Sequence, residues 1–207
     1  MTYIFDFDGT LVDSMPIFSK TIIKLFDEYK LPYTDDTVEF LTPLGYKGIA
    51  EYAITLGLKM SKAEFIKKAT DYMAYEYHNN IPAKKFVKEK LKELKNNGCS
   101  LNVLTACPHA LLDGCLKRLN LFNLFDYVLS CDDFNLKKSK PTIYIKTAEL
   151  LNTPINECMF LDDNISAIRA AKKSGIYTVG VFDASSKEYI REIKSIADKY
   201  INDFSEL

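Results

Sequence analysis

Apolar residues along this chain fall into two regimes. Met1-Thr2-Tyr3-Ile4-Phe5 is short, apolar and rich in β-formers, which predicts a buried strand. From residue 15 to 80 the apolar positions recur at helical spacing, and no stretch reads as a strand. Pro16 suits a first helical turn, and Ile17, Ile22, Ile23, Leu25 and Phe26 give an amphipathic helix to about Lys30. Asp36-x-x-Glu39 and Ser61-x-x-Glu64 have the form of capping boxes. They predict helices near 36–42, 46–57 and 61–79, divided by Pro43-Leu44-Gly45 and by Gly57-Leu58.

After Pro82 the pattern alternates between the two periods. A Lys-rich amphipathic helix is expected over 83–97, stopped by Asn96-Asn97-Gly98. Strands follow at 100–104, 127–130, 158–161 and 177–181, with helices at about 109–119, 141–151 and 165–173 between them. Ser185-x-x-Glu188 reads as the start of a closing helix to about Ile201. Strands alternating with helices imply a parallel sheet covered on both faces. The expected fold is therefore α/β: a doubly wound, Rossmann-like core of residues 1–14 and 81–207, with an inserted helical domain over 15–80.

Composition narrows the class. The 207 residues are 47% hydrophobic and 27% charged, as in ordinary soluble globular proteins. The formal net charge of -1 gives no overall imbalance to recruit nucleic acid or a membrane surface. No apolar run approaches the roughly 20 residues that span a bilayer. The first residues pass straight into the acidic strand, without the pattern of a signal peptide. Five scattered cysteines with no Cys-x-x-Cys read as reduced thiols, so a cytoplasmic protein is expected.

The chemistry gathers at the predicted strand ends. Asp6 and Asp8 follow the first strand, one residue apart, and meet Gly9, whose missing Cβ lets backbone approach a ligand closely. Paired carboxylates at a buried strand end call for a cation, and hard oxygen ligands in a tight turn suit Mg²⁺. Asp162 and Asp163 end the fourth strand with the same logic, the alternative being Asp163 or Asn164 as a helix cap. Thr105 ends the second strand and can offer a hydroxyl beside a helix start. In Lys137-Lys138-Ser139-Lys140-Pro141 the first two lysines read as solvated surface. Lys140, at an N-terminus where a cation is unfavourable, reads as functional.

Asp6-x-Asp8-Gly9-Thr10-Leu11-x-Asp13-Ser14 resembles the first motif of the haloacid dehalogenase-like hydrolases, in their phosphatase branch. Three further stretches resemble that family's later motifs, in the same order. They are the strand ending in Thr105-Ala106, the Lys140-Pro141 helix start with Tyr144 after it, and Phe160-Leu161-Asp162-Asp163-Asn164 with Gly175 beyond. Relatives often carry Asn or Ser where this chain has Ala106, and some carry an acid where it has Ala167. The resemblance implies that Asp6 is the nucleophile and Asp8 the general acid/base. It also implies that Gly9, Thr10, Thr105, Ala106 and Lys140 hold phosphate, and that Asp6, Asp8, Asp162 and Asp163 bind Mg²⁺. The helical insert would then be a cap that covers the site and selects substrate. The second acid, Asp8, argues against dehalogenation.

The expected activity is Mg²⁺-dependent hydrolysis of a small phosphorylated metabolite through an aspartyl-phosphate. A phosphomutase of the β-phosphoglucomutase type would use the same residues, and a non-catalytic phosphate-binding module ranks below both. In the cap, Tyr46 and Lys47 lie in the glycine-flanked stretch Leu44-Gly45-Tyr46-Lys47-Gly48 and are candidates for contacting the organic group. Tyr72, Tyr75 and Tyr77 are expected to pack helices, and His78 and His109 are given no role. The sequence specifies neither the natural substrate nor the oligomeric state.

Overall fold

The first strand, β1 (Thr2–Phe5), lies near the middle of a six-stranded sheet. On one side are β2 (Ser100–Thr105) and β3 (Tyr127–Ser130); on the other are β4 (Cys158–Asp162), β5 (Tyr177–Val181) and β6 (Lys199–Ile201). In this computed structural model, which describes residues 1–41 and 44–207 with the side chain of Glu39 excepted, the strand order is β3-β2-β1-β4-β5-β6. Every pairing is parallel, with Phe5 of β1 opposite both Val103 and Leu161. Sheets of this kind are covered on both faces, so their strands read as continuous apolar runs rather than as alternation. Ile4, Phe5, Val103, Leu104, Phe160, Leu161 and Val179 are accordingly buried outright. From β1 the chain winds first to one edge and then to the other. The crevice at the carboxyl ends of β1 and β4 is the place where such sheets bind ligands.

Contacts divide the chain into two compact units, Ser14–Ile81, and Met1–Asp13 with Pro82–Leu207. The first of these contains α1 (Met15–Glu28), α2 (Asp35–Leu41), α3 (Gly45–Thr55) and α4 (Lys62–Asn79). Its own core comprises Ile22, Leu25, Phe26, Leu41, Ile49, Ala53, Phe65 and Ala69. The box at Ser61 forms as expected: Glu64 N–H donates to Ser61 Oγ at 3.2 Å and Ser61 N–H to Glu64 Oε2 at 3.0 Å. The box expected at Asp36 does not start its helix. Thr34 lies one residue before α2 and accepts from Thr37 N–H at 3.3 Å, so the cap falls two residues earlier. The Glu39 half of that box and the break at Pro43 lie outside the described residues.

The sheet-bearing unit adds α5 (Val87–Asn96), α6 (His109–Arg118), α7 (Cys131–Phe134), α8 (Pro141–Leu150), α9 (Ile165–Ser174) and α10 (Ile190–Ile196). Among the described residues no helix is long and apolar enough to cross a membrane. Two expectations are corrected here. The Lys-rich helix starts at Val87 and not at Ala83, because the incoming backbone is engaged elsewhere. Ala83 forms an antiparallel bridge with Val12, Lys84 N–H donates to Leu11 O, and Asp13 N–H donates to Pro82 O, both bonds at 3.0 Å. Tertiary pairing overrides local helix propensity at this point.

The closing helix is also shorter than its pattern suggests. Asp183, not Ser185, caps the turn that leads to α10, its Oδ1 accepting from Ser185 N–H at 2.9 Å and Ser185 Oγ at 2.6 Å. The helix stops at Ile196, and Lys199–Ile201 joins the sheet beside β5. Asp198 sets this register by accepting from Thr178 N–H at 2.8 Å and Thr178 Oγ1 at 3.0 Å. A strand of three residues is too short to display a period.

His109 has a structural task that its sequence context hides. Its Nδ1 lies 2.9 Å from Asp113 Oδ1 and its Nε2 lies 3.0 Å from Asp133 Oδ2, which ties the start of α6 to α7. Two carboxylate partners are satisfied together only when both ring nitrogens carry protons. The bonds to Asp113 and then Asp133 raise the His109 pKa, against a smaller effect of burial. A raised folded-state pKa means that this stabilisation is complete below the unfolded value of about 6.5 and fades as pH climbs through the folded value. The urea midpoint lost on His109→Gln should therefore be larger at about pH 6 than at about pH 9. Equal losses at the two pH values would show that the imidazolium contributes nothing.

Candidate active site

Because β1 and β4 are neighbours, the residues leaving their ends converge. Asp6 N–H donates to Leu161 O at 2.8 Å, which continues the ladder one step beyond β1. Asp6, Asp162 and Asp163 each offer a carboxylate oxygen within 4.8 Å of the others. All three are buried, with Asp162 completely so. Burial of an anion is costly unless charge and hydrogen bonds compensate. Burial raises the Asp162 pKa to about 7, with Lys138 opposing and Asp6 adding to the rise. Burial likewise pushes Asp163 well up, reinforced by Asp162 and Asp6.

The compensating cation is Lys138. Its Nζ lies 2.6 Å from Asp6 Oδ1 and 2.7 Å from Asp162 Oδ2. Burial favours the neutral amine, but Asp162 and Asp6 outweigh it and hold the lysine above its ordinary pKa. This corrects the expectation that Lys138 is solvated surface. Lys140 is exposed and only precedes α8. The loop that presents Lys138 is pinned from behind by buried Tyr144, whose hydroxyl donates to Lys138 O at 2.7 Å and lies 3.1 Å from Ala167 O. Three lysines within four residues look alike in a sequence. The available signal was Tyr144, since a buried tyrosine hydroxyl six residues on needs an acceptor.

Gly9 and Thr10 serve Asp163. Gly9 adopts φ +74°, and a Cβ placed on it would fall 2.6 Å from Asp163 Oδ2, so no other residue fits without displacing that carboxylate. The fully buried Thr10 directs its hydroxyl to Asp163 Oδ1 at 3.0 Å. Its side chain thus supports the acid rather than standing open to a ligand. Ser186 Oγ lies 3.4 Å from Asp163 Oδ2. The capping alternative for Asp163 is settled by Asn164, whose Oδ1 accepts from Ser166 N–H at 2.9 Å and caps α9. Asp162 Oδ1 in turn accepts from Asn164 N–H at 2.7 Å.

The other expected residues occupy distinct places. Asp8 is half-buried, and the carboxylates close enough to one another to share an ion are those of Asp6, Asp162 and Asp163. Thr105 is buried at the end of β2, where Oγ1 accepts from Cys107 N–H at 3.1 Å. Ala106 is exposed beside it. In the helical unit Tyr46 stacks on Phe18 at 4.8 Å, and its buried Oη has no hydrogen-bond partner among the described residues. Lys47 is exposed.

The acidic cluster fits a cation. Three carboxylates against one ammonium leave two negative charges uncompensated when all are ionised. Among the described residues Asp6 Oδ1 accepts no well-directed hydrogen bond, even with the Lys138 ammonium alongside. An all-oxygen donor set of this kind suits a hard divalent ion.

Comparisons with known proteins agree with this geometry. The family model described as haloacid dehalogenase-like hydrolase matches residues 3–181. A phosphoglycolate phosphatase of Psychrobacter arcticus is 26% identical, over 99% of this chain and 92% of its own length. A phosphorylated carbohydrates phosphatase of Thermotoga maritima is 27% identical, over 84% of this chain and 81% of its own. A Thermotoga maritima crystal structure described as a candidate β-phosphoglucomutase superposes with a TM-score of 0.84 at 25% identity, over 97% of this chain and 93% of that one. With the match running from β1 through the end of β5, the chain belongs to the haloacid dehalogenase-like hydrolases, on the side of that family where its relatives carry phosphatase names.

Proposed function

We propose that the protein is a Mg²⁺-dependent phosphatase that hydrolyses the phosphomonoester of a small metabolite through an aspartyl-phosphate on Asp6. The observation that carries this reading is the Lys138 ammonium, 2.6 Å from Asp6 Oδ1 at the carboxyl end of β1. A cation held beside a buried carboxylate can fix a phosphoryl oxygen at the nucleophile. Mg²⁺ bound by Asp6, Asp162 and Asp163 would offset the charge on the phosphoryl group.

In the first step Asp6 attacks phosphorus, the ester P–O bond breaks, and Asp8 protonates the departing alkoxide. In the second step Asp8 takes a proton from water as that water attacks phosphorus. Inorganic phosphate leaves and the Asp6 carboxylate is regenerated. Thr105, whose hydroxyl can donate while it accepts from Cys107 N–H, would hold a second phosphoryl oxygen. The helical unit would act as the cap that selects the organic group, with Tyr46 and Lys47 as its candidate contacts.

A phosphomutase is the second reading, supported by the likeness to the Thermotoga structure described as a candidate β-phosphoglucomutase. Its chemistry would differ in keeping water away from the aspartyl-phosphate while the substrate turns over. The two readings separate on products.

Phosphate release from a panel of sugar phosphates, phosphoglycolate and nucleotides should vanish with EDTA, return with Mg²⁺ and be absent in Asp6→Asn. Isomerised sugar phosphate without net phosphate release would favour the mutase. Release that persists in Asp6→Asn would remove the aspartyl-phosphate altogether.

The two lysines provide an independent check. Lys138→Ala should lower kcat by roughly 10²- to 10³-fold, as expected for loss of a charged group aimed at the transferring oxygens. Lys140→Ala should leave kcat near wild type. The reverse ranking would return the phosphate-binding role to Lys140.

A further inference from the structure

A second, half-buried cation is bonded to the acidic turn, and nothing in the proposed reaction uses it. Lys84 lies in the stretch that returns to the sheet, one residue after the Ala83 bridge to Val12. Its Nζ donates to Gly9 O at 2.6 Å, to Phe182 O at 2.6 Å and to Asp183 Oδ2 at 2.9 Å. A lysine ammonium has three protons, and all three are engaged. Asp183 is equally committed: its other oxygen accepts both the N–H and the hydroxyl of Ser185. The pair is enclosed, with the Lys84 side chain 17% and the Asp183 side chain 4% exposed.

Two features set this pair apart from an ordinary structural ion pair. The first is where its bonds go. Gly9 is the residue whose missing Cβ leaves room for the Asp163 carboxylate, 2.6 Å from where that carbon would be. One glycine is thus gripped through its carbonyl by Lys84 and faces Asp163 with its open side. Lys84 also holds the 182–186 loop, and Ser186 of that loop reaches 3.4 Å from Asp163 Oδ2. Two neighbours of Asp163 Oδ2 therefore trace back to one ammonium. The second feature is Phe86, two residues on, at φ +63°. A bulky residue in the left-handed region persists only where its surroundings over-determine the backbone.

We propose that Lys84, held by Asp183, is a positioning residue that fixes the Gly9 turn against Asp163 and so sets the affinity of the carboxylate cluster for its cation. The consequence for cation affinity rests on the Mg²⁺ reading given above. Partners that orient a metal ligand without touching the metal typically change its affinity about 10- to 100-fold when removed.

The test compares Lys84→Met, Asp183→Asn and the double variant with wild type. Lys84→Met leaves a buried carboxylate unpaired and loses stability for that reason alone. The double variant removes both charges and should regain most of the melting temperature. If Lys84 positions the turn, the double variant still exchanges amide hydrogens faster in the peptide covering residues 6–14. It also binds Mg²⁺ about 10- to 100-fold more weakly by calorimetry, and the half-saturating Mg²⁺ for phosphatase activity rises in step while substrate KM holds. Recovery of wild-type exchange and wild-type affinity along with stability would reduce the pair to a structural contact and overturn the proposal. Wild-type protein that binds no Mg²⁺, like an Asp163→Asn control, would instead overturn the cation reading. Exchange in residues 6–14 would then decide by itself whether Lys84 holds the turn.

Discussion

The structure turns on the enclosure of three carboxylates against a single ammonium where β1 and β4 end. Asp6, Asp162 and Asp163 are buried within 4.8 Å of one another, and Lys138 pairs with two of them. Breaking a buried pair by removing one partner typically costs about 3–5 kcal/mol, because the remaining charge has no solvent to return to. Such a cluster is a poor device for stability alone. Apolar residues of the same volume would serve folding as well or better. Its place where the strand order reverses is what makes it the candidate site.

Much of the surrounding structure exists to keep that cluster in place. Tyr144 pins the backbone of Lys138, Asn164 relieves Asp163 of capping α9, and Thr10 hydrogen-bonds Asp163 from within the β1 turn. Tyr144 acts on a group six positions away in the chain, whereas Thr10 reaches Asp163 across 153 positions because β1 and β4 are neighbours. Local turns and the pairing of distant strand ends both contribute. Preorganisation of this kind lets a site act on charge without rearranging at the moment of reaction.

The sequence made the sheet, its covering helices and the acidic strand ends legible, because each carries a periodic or compositional mark. β1, β3 and β5 are short apolar runs bounded by turns, and Ser61-x-x-Glu64 is a cap that forms from local atoms. What escaped depends on contacts between distant residues. Lys138 and Lys140 differ by two positions, and only the turn between them decides which faces the acids. The start of α5 was hidden because residues 82–84 pair with 11–13, seventy positions away. β6 was hidden because Asp198 finds Thr178 on a neighbouring strand. Local chemistry carries no trace of such partners.

The two acids that first drew attention, Asp6 and Asp8, separate in a way that a motif alone does not express. Fully buried Phe7 stands between them, and the chain has already left the strand at Asp6. Asp6 points into the cluster beside Lys138, while the Asp8 carboxylate lies outside it and is only half-buried. On the proposed mechanism this division is required. A nucleophile needs a fixed position beside the cation that holds the phosphoryl oxygens, whereas an acid/base needs room to exchange a proton with the leaving oxygen and with water. A carboxylate enclosed among a lysine and a cation has no such room. A single turn of chain after β1 gives Asp6 the first environment and Asp8 the second.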